Sequence, residues 1–288
     1  MTPNALLGRW LARQTSPEQY TWLDACAGRL RSGAPERDLY LSVSQVARRM
    51  GKDPLRLTAA DLQEAATSRP GWDPGDWTVD QAARIHLLLA SAASGAELSR
   101  RLDVLCGAAD IGELVAFYRG LPLYPDQARH ALRAAEGVRS NMRVVFEAIA
   151  HRNPYAAEQF EQPAWNQMVL KALFVGSRLD LIAGLDSRRN ATLARMLCDY
   201  AHERWAASRP VNPELWRCVG PFAAADTLDD FRRLLARGTV AEQQAAALAL
   251  LDSTDPAAAQ LLESQPERAD DARAGRVDWT LIATTNQG

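Results

Sequence analysis

Residues 163–176 read PAWNQMVLKALFVG, and residues 151–160, HRNPYAAEQF, lead into them. Pro163 suits the first turn of a helix and Gly176 suits its end. Between them, Trp165, Met168, Val169, Leu170, Ala172, Leu173, Phe174 and Val175 set apolar side chains on nearly every side. A helix that is apolar all round belongs in the interior, so this one is expected to be central and buried. Three polar residues interrupt it, Asn166, Gln167 and Lys171, and the last two share a face because they are four apart. An ammonium on a buried helix needs a counter-charge or a polar pocket. Glu158 and the Asp199–Glu203 face of a later helix are candidate suppliers. The alternative is a lysine whose stem packs while its head reaches solvent.

Outward from this stretch, almost every segment keeps a helical period. Helices are expected over 4–13, from a Ser16-Pro17 start to Leu30, and over 36–50, 59–67, 78–93, 96–106 and 111–119. Thr58 and Asp61 form a capping-box analogue ahead of the fourth. The stretch 69–77, RPGWDPGDW, has two prolines and two glycines and reads as a loop whose Trp72 and Trp77 plug onto the core. His86 sits in an apolar run and reads as a core histidine. A long helix is expected over 126–150, with Gly137 as its weak point, and a short one over 178–183. The chain then continues through 190–208, 215–219, 227–237, 240–251 and 256–264. Residues 265–288 are polar and charged and read as a flexible tail.

No segment alternates apolar and polar residues for long enough to make a strand. The fold is therefore expected to be all-α, a single domain over 1–264 built from short antiparallel helices. The closing pairs over 227–264 resemble HEAT-type stacking, which favours a HEAT-like or armadillo-like array over a globular bundle.

The chain has 288 residues with 47% hydrophobic and 24% charged, ordinary for a globular protein. A net charge of −2 gives no excess of positive charge to hold nucleic acid. Cys26, Cys106, Cys198 and Cys218 are scattered among apolar residues, which suits free thiols in a reducing compartment. Neither a signal peptide nor a membrane-length apolar run is evident, so a cytoplasmic protein is expected.

The phosphate-loop, dinucleotide-loop, zinc-protease and serine-hydrolase signatures are missing. Asp199, His202 and Glu203 have the spacing of helical metal ligands, with Glu147, His151, Glu158 and Glu161 as loose complements. The plainer reading is a helix surface, and no metal or cofactor is expected. His151, Arg152, Asn153 and Tyr155 make a second polar cluster. With Trp165, Asn166, Gln167, Lys171, Asp199, Tyr200, His202, Glu203 and Arg204 they are the candidate pocket residues, and of these Arg152, Tyr155, Lys171, Tyr200 and Arg204 are the candidates to line a cleft that accepts an anion.

The words HRNPYAAEQF, AWNQMVLKALFVG and MLCDYAHERWAASRPVNPELW resemble the EboA family of bacterial proteins, most sharply over 151–222. The resemblance implies a member of a gene cluster for making or exporting a small secondary metabolite. Such clusters also encode prenyltransferase-like, isomerase-like, cyclase-like and hydrolase-like proteins. No catalytic residue comes with it. Two functions follow as expectations. One is an accessory or scaffold protein that binds cluster partners or an anionic or prenylated metabolite. The other is an enzyme acting on a prenylated or cyclitol-like intermediate. The missing catalytic templates favour the first.

Overall fold

A computed structural model describes residues 1–285. Helix accounts for 72% of the chain, and no strand forms among the described residues, so the fold is all-α. Two compact units are present, residues 1–161 and 162–288, and each is described by itself.

Unit 1 comprises α1 (Pro3–Gln14), α2 (Pro17–Arg31), α3 (Glu36–Met50), α4 (Ala59–Ser68) and α5 (Val79–Ser91). It continues with α6 (Gly95–Ala108), α7 (Ile111–Arg119), α8 (Ala131–Arg139), α9 (Arg143–Ala150) and α10 (Tyr155–Gln159). Its centre is α5, which packs against α1, α2, α3 and α7. Apart from Gln81 and Leu89, every residue of α5 is buried, Asp80, Arg84 and His86 included. All-round burial thus falls on this helix. The buried charges are compensated: Arg84 pairs with Asp80 one turn away. His86 lies 3.2 Å from the Asn4 carbonyl through Nδ1, and burial lowers its pKa. It is a core histidine, as its apolar setting suggests. Trp72 and Trp77 do plug their loop onto the core, with ring centroids 5.4 Å from Trp10 to Trp72 and 5.9 Å from Trp72 to Trp77.

The capping box at Thr58 is present and carries a further load. Asp61 Oδ2 accepts from the Thr58 N–H at 2.8 Å, and both Asp61 oxygens accept from Arg13 of α1, at 3.1 and 2.6 Å. The Arg13 guanidinium holds the Asp61 carboxyl well below the usual carboxylate range. A carboxylate whose pKa falls on folding stabilises the fold above its unfolded pKa of about 3.9 and loses that contribution as pH drops through the folded value. Asp61→Ala is expected to cost about 2–3 kcal/mol near neutral pH, from a lost cap and a lost charge-assisted pair. The gap between mutant and wild type should close progressively in acid. Denaturant melts at neutral and strongly acidic pH check this; a gap independent of pH would refute the electrostatic account.

The long helix expected over 126–150 is divided. A 3-10 turn at Gln127–His130 precedes α8, and the break before α9 falls at Ser140, not at Gly137. The Ser140 hydroxyl accepts from the Met142 N–H at 3.1 Å, a side-chain turn that competes with the helix. Gly137 instead lets α8 lie close to its neighbours, because a Cβ there would sit 2.4 Å from Ile149 Cδ1 and 2.7 Å from the Tyr118 ring.

Unit 2 comprises α11 (Gln162–Phe174), α12 (Ala191–Ala206), α13 (Ala225–Arg237), α14 (Val240–Leu251), α15 (Pro256–Glu263), α16 (Pro266–Arg273) and α17 (Trp279–Thr285). Gly176 ends α11's turn with φ 65°, the left-handed conformation glycine favours. Helix α11 is not buried all round. Trp165, Asn166, Met168, Val169, Ala172 and Leu173 face inward, but Gln167 is exposed and Phe174 is 65% exposed. Apolar residues at the C-terminal end do not all turn inward, since surface helices commonly expose single apolar side chains.

The unit is organised on α14, VAEQQAAALALL, which packs against α13, α15, α16, α17 and the 3-10 run Pro213–Cys218. Its alanines allow that crowding: Ala245, Ala246, Ala247 and Ala249 are all buried. Trp216, in the 3-10 run, is fully buried between Trp205 and Phe231, at centroid distances of 5.8 and 5.4 Å. The expected helix over 178–183 does not form as regular helix. There Glu214, itself buried, accepts from the Leu179 and Asp180 N–H groups at 2.7 and 3.0 Å and takes the amides elsewhere.

The reading of a flexible tail after 264 is also corrected. Residues 266–285 form α16 and α17, and Ala269, Ala272, Val277, Ile282 and Ala283 are buried. Few apolar residues suffice because they fall on the faces turned to α14. Residues 286–288 of that expected tail lie outside the described residues.

Candidate functional site

Helix α12 carries a stripe at helical spacing, Ala191, Ala194, Arg195, Cys198, Asp199 and His202. Asn190 starts the helix, its side chain accepting from the Leu193 N–H at 2.9 Å. Opposite the stripe, α13 supplies Asp226, Thr227 and Asp230, and the connection between the helices supplies Phe222 and Ala224. Together they bound a cleft of about 470 Å³. That volume falls within the range of small-molecule sites.

The geometry inside is set by one pair. His202 Nε2 lies 2.9 Å from both oxygens of Asp230. Asp230 is buried, and that burial raises its pKa, while His202 opposes the shift. Burial pushes the Cys198 thiol up to about 12, so at neutral pH it is a protonated thiol and a poor nucleophile. The cleft holds three carboxylates, Asp199, Asp226 and Asp230, against one guanidinium, Arg195. Its wall of Ala191, Ala194, Ala224 and Phe222 is apolar.

The residues singled out from sequence scatter into different jobs. Asn153 is buried and fully structural: its amide donates to the Tyr118 and Ala148 carbonyls at 3.0 and 2.9 Å and accepts from the Tyr155 N–H at 3.0 Å. The Tyr155 hydroxyl donates to the Gln127 carbonyl at 2.6 Å, and burial raises its pKa. Arg152 reaches Asp73 at 3.3 Å with a backbone φ of 50°. His151 closes α9 by donating its N–H to Glu147. These four belong to unit 1 and serve a turn and its caps.

In unit 2, Trp165 is fully buried under the Arg188 guanidinium, 4.9 Å from its ring. Asn166 pairs with Asn190. Lys171 is partly exposed, and desolvation lowers its pKa. Gln167 lines the recess between α11 and α12. Tyr200 is buried edge-on to Phe174 at 4.9 Å, and Arg204 donates to the Pro210 carbonyl at 2.9 Å. Glu203 points to solvent. Asp199 and His202 alone enter the large cleft. His202 is engaged by Asp230, and among the described residues no group of three or more His, Cys, Asp or Glu is arranged to hold a metal ion.

Sequence reasoning missed Arg195, Asp226, Thr227 and Asp230. Asp226 and Asp230 are spaced i, i+4 on α13, a signal indistinguishable from a solvated helix face until α12 is laid opposite. The described helices include none long and apolar enough to cross a membrane.

A family model described as metabolite traffic protein EboA matches residues 3–220, well over half the chain. The match includes α12 and stops before Phe222 and α13, the second wall of the cleft. No curated protein and no solved structure matches the chain.

Proposed function

The chain belongs to the EboA family, and on that premise we propose that it is an accessory protein that holds a small metabolite in the α12–α13 cleft. In this reading it serves the making or export of a secondary metabolite and hands its cargo to partner proteins of the same gene cluster in the cytoplasm. The observation that carries it is the cleft itself, about 470 Å³, with an apolar wall facing a set of hydrogen-bonding and charged groups. Such a surface binds and orients. The protonated Cys198 thiol supplies no nucleophile, which weighs against the alternative of a covalent enzyme.

The charge in the cleft refines the cargo. Three carboxylates against one guanidinium disfavour an anion and suit a molecule with a cationic or donor-rich end and an apolar body. The anionic ligand expected from Lys171 and Arg204 finds no support at this cleft.

Thr227→Trp places an indole in the cleft mouth and tests the proposal. Protein isolated from its native host should release a small molecule on denaturation, seen by mass spectrometry in amounts comparable to the protein. The Thr227→Trp protein, shown to be folded by its unchanged melting, should release little. Wild-type protein free of any small molecule, or the same molecule in equal amount from both, would sink the reading.

A further inference from the structure

Helix α12 turns a second face toward α11. Thr192 and Met196, four apart, lie on it, and Gln162, Pro163, Asn166 and Gln167 face them across a recess of about 310 Å³. Its lining contains no ionisable side chain.

Asn190, at the start of α12, is saturated. Its Oδ1 accepts from the Leu193 N–H at 2.9 Å and from Asn166 Nδ2 at 3.2 Å. Its Nδ2 donates to Asn166 Oδ1 at 2.9 Å and to the Arg188 carbonyl at 3.1 Å. Two donors and two acceptor sites are all an amide side chain has. Asn166 is only half used: one N–H and one lone pair go to Asn190. Its other N–H and lone pair have no partner among the described residues, although the residue is only 3% exposed. The Leu193 N–H fixes which end of Asn190 meets which end of Asn166, so the spare groups are oriented as well as buried. A buried amide that lines an open recess with one N–H and one lone pair unspent has capacity left to donate or accept there.

We infer that the α11–α12 recess is a second binding site, and that it takes a neutral, hydroxyl-rich molecule of about the size of a hexose. Hydroxyl groups both donate and accept, which matches the spare pair on Asn166 and the amides of Gln162 and Gln167. Thr192 adds a hydroxyl. Pro163 and Met196 give an apolar floor for the C–H face of a ring. No fixed charge is present to hold a carboxylate, phosphate or ammonium. The recess differs from the α12–α13 cleft in both wall and chemistry, and it lies wholly within residues 3–220.

The test uses the full chain and three probes of one shape: glucose, cationic glucosamine and anionic glucuronate. Saturation-transfer NMR should show glucose binding that is insensitive to added salt. Gln167→Leu and Thr192→Val alter side chains at the recess surface, and each should weaken that binding roughly three- to tenfold, the worth of one neutral hydrogen bond. Circular dichroism and melting confirm that both variants fold. Absence of transfer to glucose, binding unchanged in both variants, or stronger and salt-dependent binding of either charged analogue would overturn the inference. Thr227→Trp separates the two sites: a glucose signal lost in that variant would place the binding in the acidic cleft and overturn it equally.

Discussion

A chain ending at Ser264 is expected to melt about 10 °C or more below the full chain, with unit 2 as the part that fails. Removal takes away α16 and α17 and with them buried Val277, Ile282 and three buried alanines. Burying a valine or isoleucine side chain is worth roughly 1.5–3 kcal/mol. The loss also uncovers the faces of α14 and of the 3-10 run Pro213–Cys218 on which these helices lie. Ordering some twenty residues opposes part of that gain, so a net loss of about 3–4 kcal/mol is the expected balance. For a unit of this size that corresponds to a shift of ten degrees or more. Ile282→Ala, which leaves a cavity at a fully buried position, should reproduce about 2–4 kcal/mol of it. Calorimetry on both proteins decides the matter. A truncated chain that melts with the full one would mean that these helices rest on the unit without stabilising it.

The second large effect is expected at Gly220. A Cβ there would lie 2.4 Å from the Ala249 carbonyl oxygen and 2.8 Å from its Cα, both backbone atoms of α14. Backbone cannot swing aside as a side chain can, so Gly220→Ala must push its own 3-10 turn, Gly220–Phe222, off the helix. A cost of about 3 kcal/mol is expected, at the upper end for overpacking. Gly107, inside α6, is the contrast, since a Cβ there meets nothing within 4 Å. Gly107→Ala should be neutral or up to about 1 kcal/mol stabilising, as alanine is the better helix former. Equal effects at the two positions would show that glycine content, not the Gly220–Ala249 approach, governs the outcome.

These two positions illustrate which parts of the molecule were legible in its sequence. Helix existence and type were readable wherever a cap met an apolar period: α3 and α7 match their expected bounds, and the Thr58–Asp61 box is present. What the period could not say is which helix the others surround. Helix α11 reads as apolar all round, yet it is α5 that is enclosed, because enclosure depends on how many neighbours dock and not on the helix itself. The tail was misread for a related reason. Five buried side chains among twenty residues look too few, until the alanine surface of α14 makes shallow contacts sufficient. Asp199 and His202, singled out in the sequence, both line the α12–α13 cleft. Their spacing read most plainly as a helix surface, whereas His202 turns to Asp230, twenty-eight residues along. No local pattern encodes that meeting. The polar density of 151–155 was read as ligand chemistry, whereas Asn153 spends its amide on three backbone groups of its own unit.

The placement of Trp216 has a consequence for how the chain is made. This indole stacks on Trp205, which precedes it, but its other ring partner, Phe231 of α13, and the helices α14 and α17 that pack on its 3-10 run all follow it. On the ribosome, at about 5–20 residues per second, the interval between making Trp216 and making Thr285 is roughly 3–14 s. Throughout it, Trp205 and Trp216 form an uncovered aromatic strip on a nascent unit 2. Unit 1, whose core is complete by residue 161, has no such wait. The nascent chain should therefore engage holding chaperones in one window, after residue 216 emerges and before α17 does. Ribosome-bound intermediates stalled across that window would display it.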